Sequence, residues 1–293
     1  MDLLNGFILD GIIGDYKQAE LPLMHQNLDN IQDLIIPEKS IFIFNRGYNA
    51  MELYAHIISL NSYFIVRLKD KSYIEERYKI KENDSEIKIK LIKDRLKKFH
   101  NPLLKEKYSK EKHLNLRILS IELDNGKIET LLTNILDKNF KIEDFKELYN
   151  LRWGIETNYN TMKNRLNIEN YSGKKRITIE QDIYSKFLKY NVFQYYENYF
   201  ALLINRIKRQ KGKSGLFKVN QAHLIRKLKK ILAHNDFKPN TRNNKNIHKE
   251  IDNLLHEIPK QMHKKTDNKK KPQKTEKIQP ELQANIIKEK TMK

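Results

Sequence analysis

The 293-residue chain contains no cysteine. That excludes disulfides and cysteine-ligated metal centres, and it suits a reducing cytoplasm. No apolar run is long enough to cross a bilayer, and the first residues lack the basic and apolar stretches of a secretory leader. A soluble protein of the cytoplasm, away from membranes, is therefore expected. No recognisable RNA-binding signature is present either. Acidic residues are comparatively few, 37 Asp and Glu against 57 Lys and Arg, which leaves a formal charge of +20. Such an excess attracts polyanions through counterion release, so a phosphate-rich partner is the natural expectation. Lys greatly outnumbers Arg, however, and Asn and Ile are abundant. Nucleotide bias in the coding sequence produces the same excess, so charge is supporting evidence only.

Hydrophobic patterning predicts a mixed α/β fold. Phe7 to Ile13 is apolar enough for a buried strand, and Tyr16 to Leu34 has helical periodicity that stops before Pro37. Ile41 to Phe44 reads as a short buried strand, Met51 to Leu60 as a helix and Tyr63 to Leu68 as another strand. This order suggests a layered sheet. Alternating runs follow at Glu86 to Ile92 and Leu114 to Leu123, with Asp124, Asn125 and Gly126 as a hairpin turn before Lys127 to Thr133. A β-rich insertion over about residues 70–135 is thus expected. Further on, Ile183, Tyr184, Phe187, Leu188, Val192, Tyr195, Tyr196, Tyr199, Phe200 and Leu203 recur at helical intervals and are expected to be core.

Between the insertion and that helix lies YNLRWGIETNYNTMK, residues 149–163, which sets Tyr149, Arg152, Glu156 and Lys163 at offsets of 0, 3, 7 and 14. On one continuous helix these side chains fall within roughly 60° of one another. Leu148, Leu151, Ile155, Tyr159, Met162 and Leu166 form an adjoining apolar stripe, with Asn150, Gly154, Thr157, Asn158 and Thr161 opposite, toward solvent. Spacing alone favours an ordinary helix ion pair between Arg152 and Glu156, with Lys163 solvated.

The complete four-residue pattern resembles the Tyr-x2-Arg-x3-Glu-x6-Lys signature of DDE transposases of the insertion-sequence-four group. IFIFNRGYNAMELYAHI, residues 41–57, is similar to that family's strand ending in Asp-Arg-Gly-Tyr, with Asn45 where the Asp belongs. LDNGKIETLLTNI, LNIENYSG and DLLNGFILDGIIGDYKQAE resemble neighbouring family segments, and the likeness covers about the first two hundred residues in family order. The resemblance implies a ribonuclease-H-like catalytic fold over residues 1–204, interrupted by the β-rich insertion and incomplete at its N-terminus. It also implies DNA transposition as the function, with transposon ends as partner. Three carboxylates would hold divalent magnesium for phosphodiester cleavage and strand transfer.

Carried over residue by residue, Glu156 matches the third, metal-binding carboxylate and Asn45 a degenerate second one. Tyr149, Arg152 and Lys163 would position phosphates, Arg152 by bidentate contact and Lys163 as a point charge. The first carboxylate belongs upstream of the segment resembling DLLNG, and of Asp2, Asp10 and Asp15 none is expected to replace it. A truncated, catalytically impaired copy follows as the expectation, with magnesium binding in doubt. Two alternatives stay open. One is an active enzyme that uses Asp10 and Asn45, or takes a strand from another chain. The other is a non-catalytic regulator that binds DNA or interacts with full-length transposase, which, like a second copy of this chain, stays open as a partner.

From Asn205 to Lys230 there are ten Lys or Arg and no acid. Leu224, Ile225, Leu228, Ile231 and Leu232 give this stretch an apolar side, so residues 205–238 are expected to dock as a basic helical segment. It would present Arg226, Lys227, Lys229 and Lys230 to DNA. A merely solvated face is an equal alternative. Residues 239–293 are polar and Lys-rich, and disorder is expected there. The histidines show no ligand spacing and read as surface or packing residues.

Overall fold

The computed structural model describes residues 1–15, 17–78, 80, 82–122, 126–212, 217–234, 249, 253–254 and 263–264. They fall into two units, one built on Leu9–Ile155 and the other on Met1–Ile8 with Glu156–Leu282. The expected hairpin residues Asp124 and Asn125, and almost all of 235–293, lie outside the described residues.

In the first unit, α1 (Glu20–Ile31) precedes the strand β1 (Ile41–Phe44), the helix α2 (Met51–Ser59) and the strand β2 (Tyr63–Arg67). A short helix α3 (Ile74–Arg77) leads to β3 (Asp84–Lys90), α4 (Lys93–Leu96), α5 (Pro102–Ser109), β4 (His113–Glu122) and β5 (Ile128–Thr133). α5 begins where a helix should: Asn101 accepts the backbone N–H groups of Leu103 and Leu104, and Pro102 occupies the first turn. β1 and β2 run parallel across the α2 connection, and the remaining pairings are antiparallel. One five-stranded sheet results, in the order β1-β2-β5-β4-β3. The strands expected as an insertion therefore continue the same sheet, because β5 pairs with β2 in the register Ile65↔Thr133. Beyond β5, the Asn134 side chain accepts from the N–H of Phe64 at 2.8 Å and donates to the carbonyl of Ser62 at 3.0 Å.

Period-two alternation gives the sheet two apolar faces. Phe64, Val66, Leu116, Ile118 and Leu132 point one way and pack with Leu53, Tyr54 and Ile57 of α2 and with Leu104 and Tyr108 of α5. Ile65, Leu119, Ile121 and Leu131 point the other way, against Phe145 and Tyr149 of α6 (Ile142–Leu151). The unit is thus a three-layer α/β arrangement. On the second face Arg117 is fully buried, and its guanidinium grips Asp84 at 2.7 and 2.6 Å. It also donates to the carbonyls of Asp137 and Phe140 and lies over the Phe145 ring.

The second unit contains α7 (Trp153–Leu166, shared with the first at its start), α8 (Arg176–Gln210), β6 (Phe217–Lys218), α9 (Gln221–His234) and β7 (His263–Lys264). The N-terminal stretch lies along α8. Asn191 donates to the carbonyl of Ile8 at 2.8 Å and accepts the N–H of Ile8 at 2.9 Å, and Asn198 donates to the carbonyl of Asn5 at 2.8 Å. Phe7 to Ile13 is consequently not the expected strand: at Ile8 a side-chain amide takes both bonds that a neighbouring strand would make.

Two further expectations are corrected. α8 buries Ile183, Phe187, Tyr190, Phe193, Phe200 and Ile204, whereas Tyr184, Leu188, Tyr195 and Tyr199 are exposed. At 100° per residue the two sets lie on opposite sides of the helix, so only part of the expected core is covered. The signature segment is also two helices rather than one. At Arg152 the dihedrals stay helical, but the N–H of Arg152 bonds to Tyr149 O and that of Ile155 to Arg152 O, at 3.1 and 3.0 Å. These three-residue steps are of the 3-10 kind, which winds the chain by about 120° per residue. Leu151 and Ile155, expected inside, are exposed, and Thr161, expected outside, is buried.

Candidate functional site

Asn45 follows directly on β1, with extended dihedrals, and opens a single 3-10 turn over Arg46–Tyr48. Its side-chain carbonyl accepts the Gly47 N–H at 2.8 Å. A Cβ at Gly47 would stand 3.0 Å from that oxygen, so the residue is held small by its own cap. Tyr48 packs its ring on Phe44, and burial, reinforced by Glu20 of α1, raises its phenol well above the ordinary value. Asn-Arg-Gly-Tyr is therefore a rigid turn at a strand end, where functional side chains are commonly presented.

Among the early acids, Asp10 is gripped by side-chain donors of another element. The amides of Asn27 and Asn30, three residues apart on α1, donate to its Oδ2 at 2.9 and 3.0 Å. Asp2 instead caps its own turn through the N–H groups of Leu4 and Asn5, and Asp15 lies beside Gln18 in another local turn.

Tyr149, at the end of α6, is buried against the sheet, and burial raises its phenol while the neighbouring Arg152 cation opposes the rise. The Arg152 guanidinium lies 5.6 Å from the Tyr149 ring centre and 5.4 Å from that of Trp153. Both rings thus lie within cation–π reach of the guanidinium at the joint between α6 and α7. Glu156 lies in the first turn of α7, half-buried, where the positive end of the helix dipole favours a carboxylate. Lys163, two turns on, pairs with Glu169 at 2.9 Å, and that bond raises its ammonium above the ordinary value. Tyr149 and Arg152 are brought together, with Asn45 in the same unit, while Glu156 and Lys163 belong to the other.

The model of the transposase DDE domain family matches residues 1–192. The chain belongs to the DDE transposase family. That match takes in Asn45 and all four signature residues and ends within α8. Membership supports a role in transposition. No curated protein matches the chain.

DDE transposases generally use divalent metal ions, which require several hard anionic oxygens. The donors here do not fit. Asn45 offers a neutral amide oxygen already engaged by Gly47, and among the described residues no three His, Cys, Asp or Glu side chains are grouped to hold a metal ion. Among the described residues no helix is long and apolar enough to cross a membrane.

Beyond the matched segment, α9 buries Leu224, Ile225, Leu228 and Ile231 and exposes Arg226, Lys229 and Lys230, with Lys227 half-buried. Lys229 donates to the carbonyl of Arg165 at 2.6 Å, and Arg226 meets His223 at 3.1 Å. Sequence reasoning missed the joint at Arg152, for which only the adjoining Trp153-Gly154 gave a hint. It also missed the bonding of His25 to His56 (2.9 Å), for which spacing gave no signal.

Proposed function

We propose that this chain is a ribonuclease-H-like DDE transposase of the insertion-sequence-four type that binds the DNA of transposon ends but is impaired in magnesium-dependent cleavage. Asn45 carries the reading. Where the family motif has a carboxylate, this chain has a carboxamide committed to a turn, and a metal ion there loses both charge compensation and a free ligand. The parallel β1–α2–β2 unit supports the ribonuclease-H-like assignment. Arg152, set against two rings, and the outward cations of α9 support phosphate contact.

Purified protein is expected to shift duplex DNA equally with magnesium and with chelator, and to produce neither nicks nor joined strands. Robust metal-dependent cleavage would overturn the reading. Arg226→Ala and Lys230→Ala should each weaken binding alike on all sequences and reduce the log–log salt slope by about one. An unchanged slope in both removes α9 from the interface. The carboxamide grip on Asp10 favours a second reading, an active enzyme with an unusual ligand set. In that case Asp10→Asn and Glu156→Ala abolish cleavage with affinity intact.

A further inference from the structure

α1 and α2 meet along a row of ionisable side chains that the proposed chemistry does not use. His25 and Asp29 are four apart on α1, and Glu52 and His56 are four apart on α2. His25 Nδ1 stands 2.9 Å from His56 Nδ1, with the rings within 7° of parallel. At the far ends, His56 Nε2 is 3.1 Å from Asp29 Oδ1 and His25 Nε2 is 4.0 Å from Glu52 Oε2. Glu52 is itself buried, and its Oε1 accepts the N–H groups of His100 and Asn101 at 2.8 and 2.6 Å, at the start of α5.

Counting hydrogens fixes how this row works. Two ring nitrogens at bonding distance share one hydrogen. Asp29 takes the Nε2–H of His56, so neutral His56 has a bare Nδ1, and His25 donates to it from its own Nδ1. The lone pair of His25 Nε2 then faces Glu52, which can receive one added proton on that nitrogen. A second added proton has only His56 Nδ1 left, and it would set N–H against N–H across the contact. Two nitrogens are too few for a metal centre, and both carboxylates lie at the opposite ends of the rings.

We propose that the His25–His56 pair is a pH-sensitive latch that fastens α1 to α2, closed with at most one added proton and opened by the second. The groups facing it are Asp29 from α1, Glu52 from α2 and His100 from the turn before α5. Burial is the largest influence on His25 and lowers its pKa; Glu52 and Asp29 oppose this, and His56 and His100 add to it. The first proton, on His25, therefore costs stability as pH falls below that histidine's unfolded value, near pH 6.5, with the latch still closed; the second, which sets N–H against N–H, opens it.

The test uses the full chain. Imidazole nitrogen NMR at pH 7.5 is expected to find His56 as the Nε2–H tautomer and His25 as the Nδ1–H tautomer, titrating in two coupled steps on acidification. Hydrogen exchange should show α1 amides losing about tenfold more protection between pH 7 and pH 5 than those of β4. In His56→Gln, which removes one titrating ring, that difference should disappear. Independent titration of both rings near 6.5, or equal loss of protection in α1 and β4, overturns the latch whether or not the variant folds. A shift of both ring signals on adding zinc at pH 7.5 would overturn it in favour of a metal site.

Discussion

Arg117→Met is expected to destabilise the sheet-bearing unit by about 3–5 kcal/mol, the usual cost of removing one partner from a buried ion pair. Arg117 is fully buried, and its guanidinium closes the second face of the sheet by joining Asp84 on β3 to the carbonyls of Asp137 and Phe140 ahead of α6. Methionine fills most of the volume, so the loss reports the orphaned carboxylate and carbonyls more than a cavity. Arg117→Lys should recover little, since one ammonium cannot reproduce the fork that holds both Asp84 oxygens. Urea unfolding followed by the single tryptophan, Trp153, checks this, because that residue lies in the same unit. A midpoint within experimental error of the parent would sink the assignment. The pair also sets an acid limit. The Arg117 hydrogen bond holds the Asp84 carboxyl below its ordinary value, so its contribution is complete above about pH 4 and fades as pH falls through the folded value.

Asn191→Leu carries the second large effect. Its carboxamide serves both the N–H and the carbonyl of Ile8, and burying either without a partner costs about 1–3 kcal/mol. The N-terminal eight residues should leave α8, and limited proteolysis should then cut ahead of Leu9 while the helix stays intact. Asn191→Asp keeps the acceptor and loses the donor, so it should give an intermediate rate of cutting. Equal cutting in parent and Asn191→Leu would show that the stretch is held by other contacts, Asn198 foremost.

The strands and α2 were legible because their patterns are local: Ile41–Phe44 and Tyr63–Arg67 are short apolar runs, and Ile87 and Ile89 alternate with exposed lysines. The family motif likewise announced itself within fifteen residues. What stayed hidden depends on partners remote in sequence. Arg117 looks like an ordinary strand position until Asp84 and two carbonyls converge on it, and His25 meets a histidine thirty-one residues away. The joint at Arg152 was invisible because hydrophobic periodicity assumes an unbroken helix. α8 misled for the opposite reason. Its aromatic residues do recur at helical intervals, but in two stripes, and periodicity cannot say which stripe is covered.

The two rims of the five-stranded sheet are unlike. β3 alternates its buried isoleucines with Glu86, Lys88 and Lys90, charges that discourage a stranger from zipping onto it. β1, at the other rim, is Ile-Phe-Ile-Phe and has one strand neighbour among the described residues. Its backbone can template an incoming ribbon, so crowding during overexpression favours clumping at this margin.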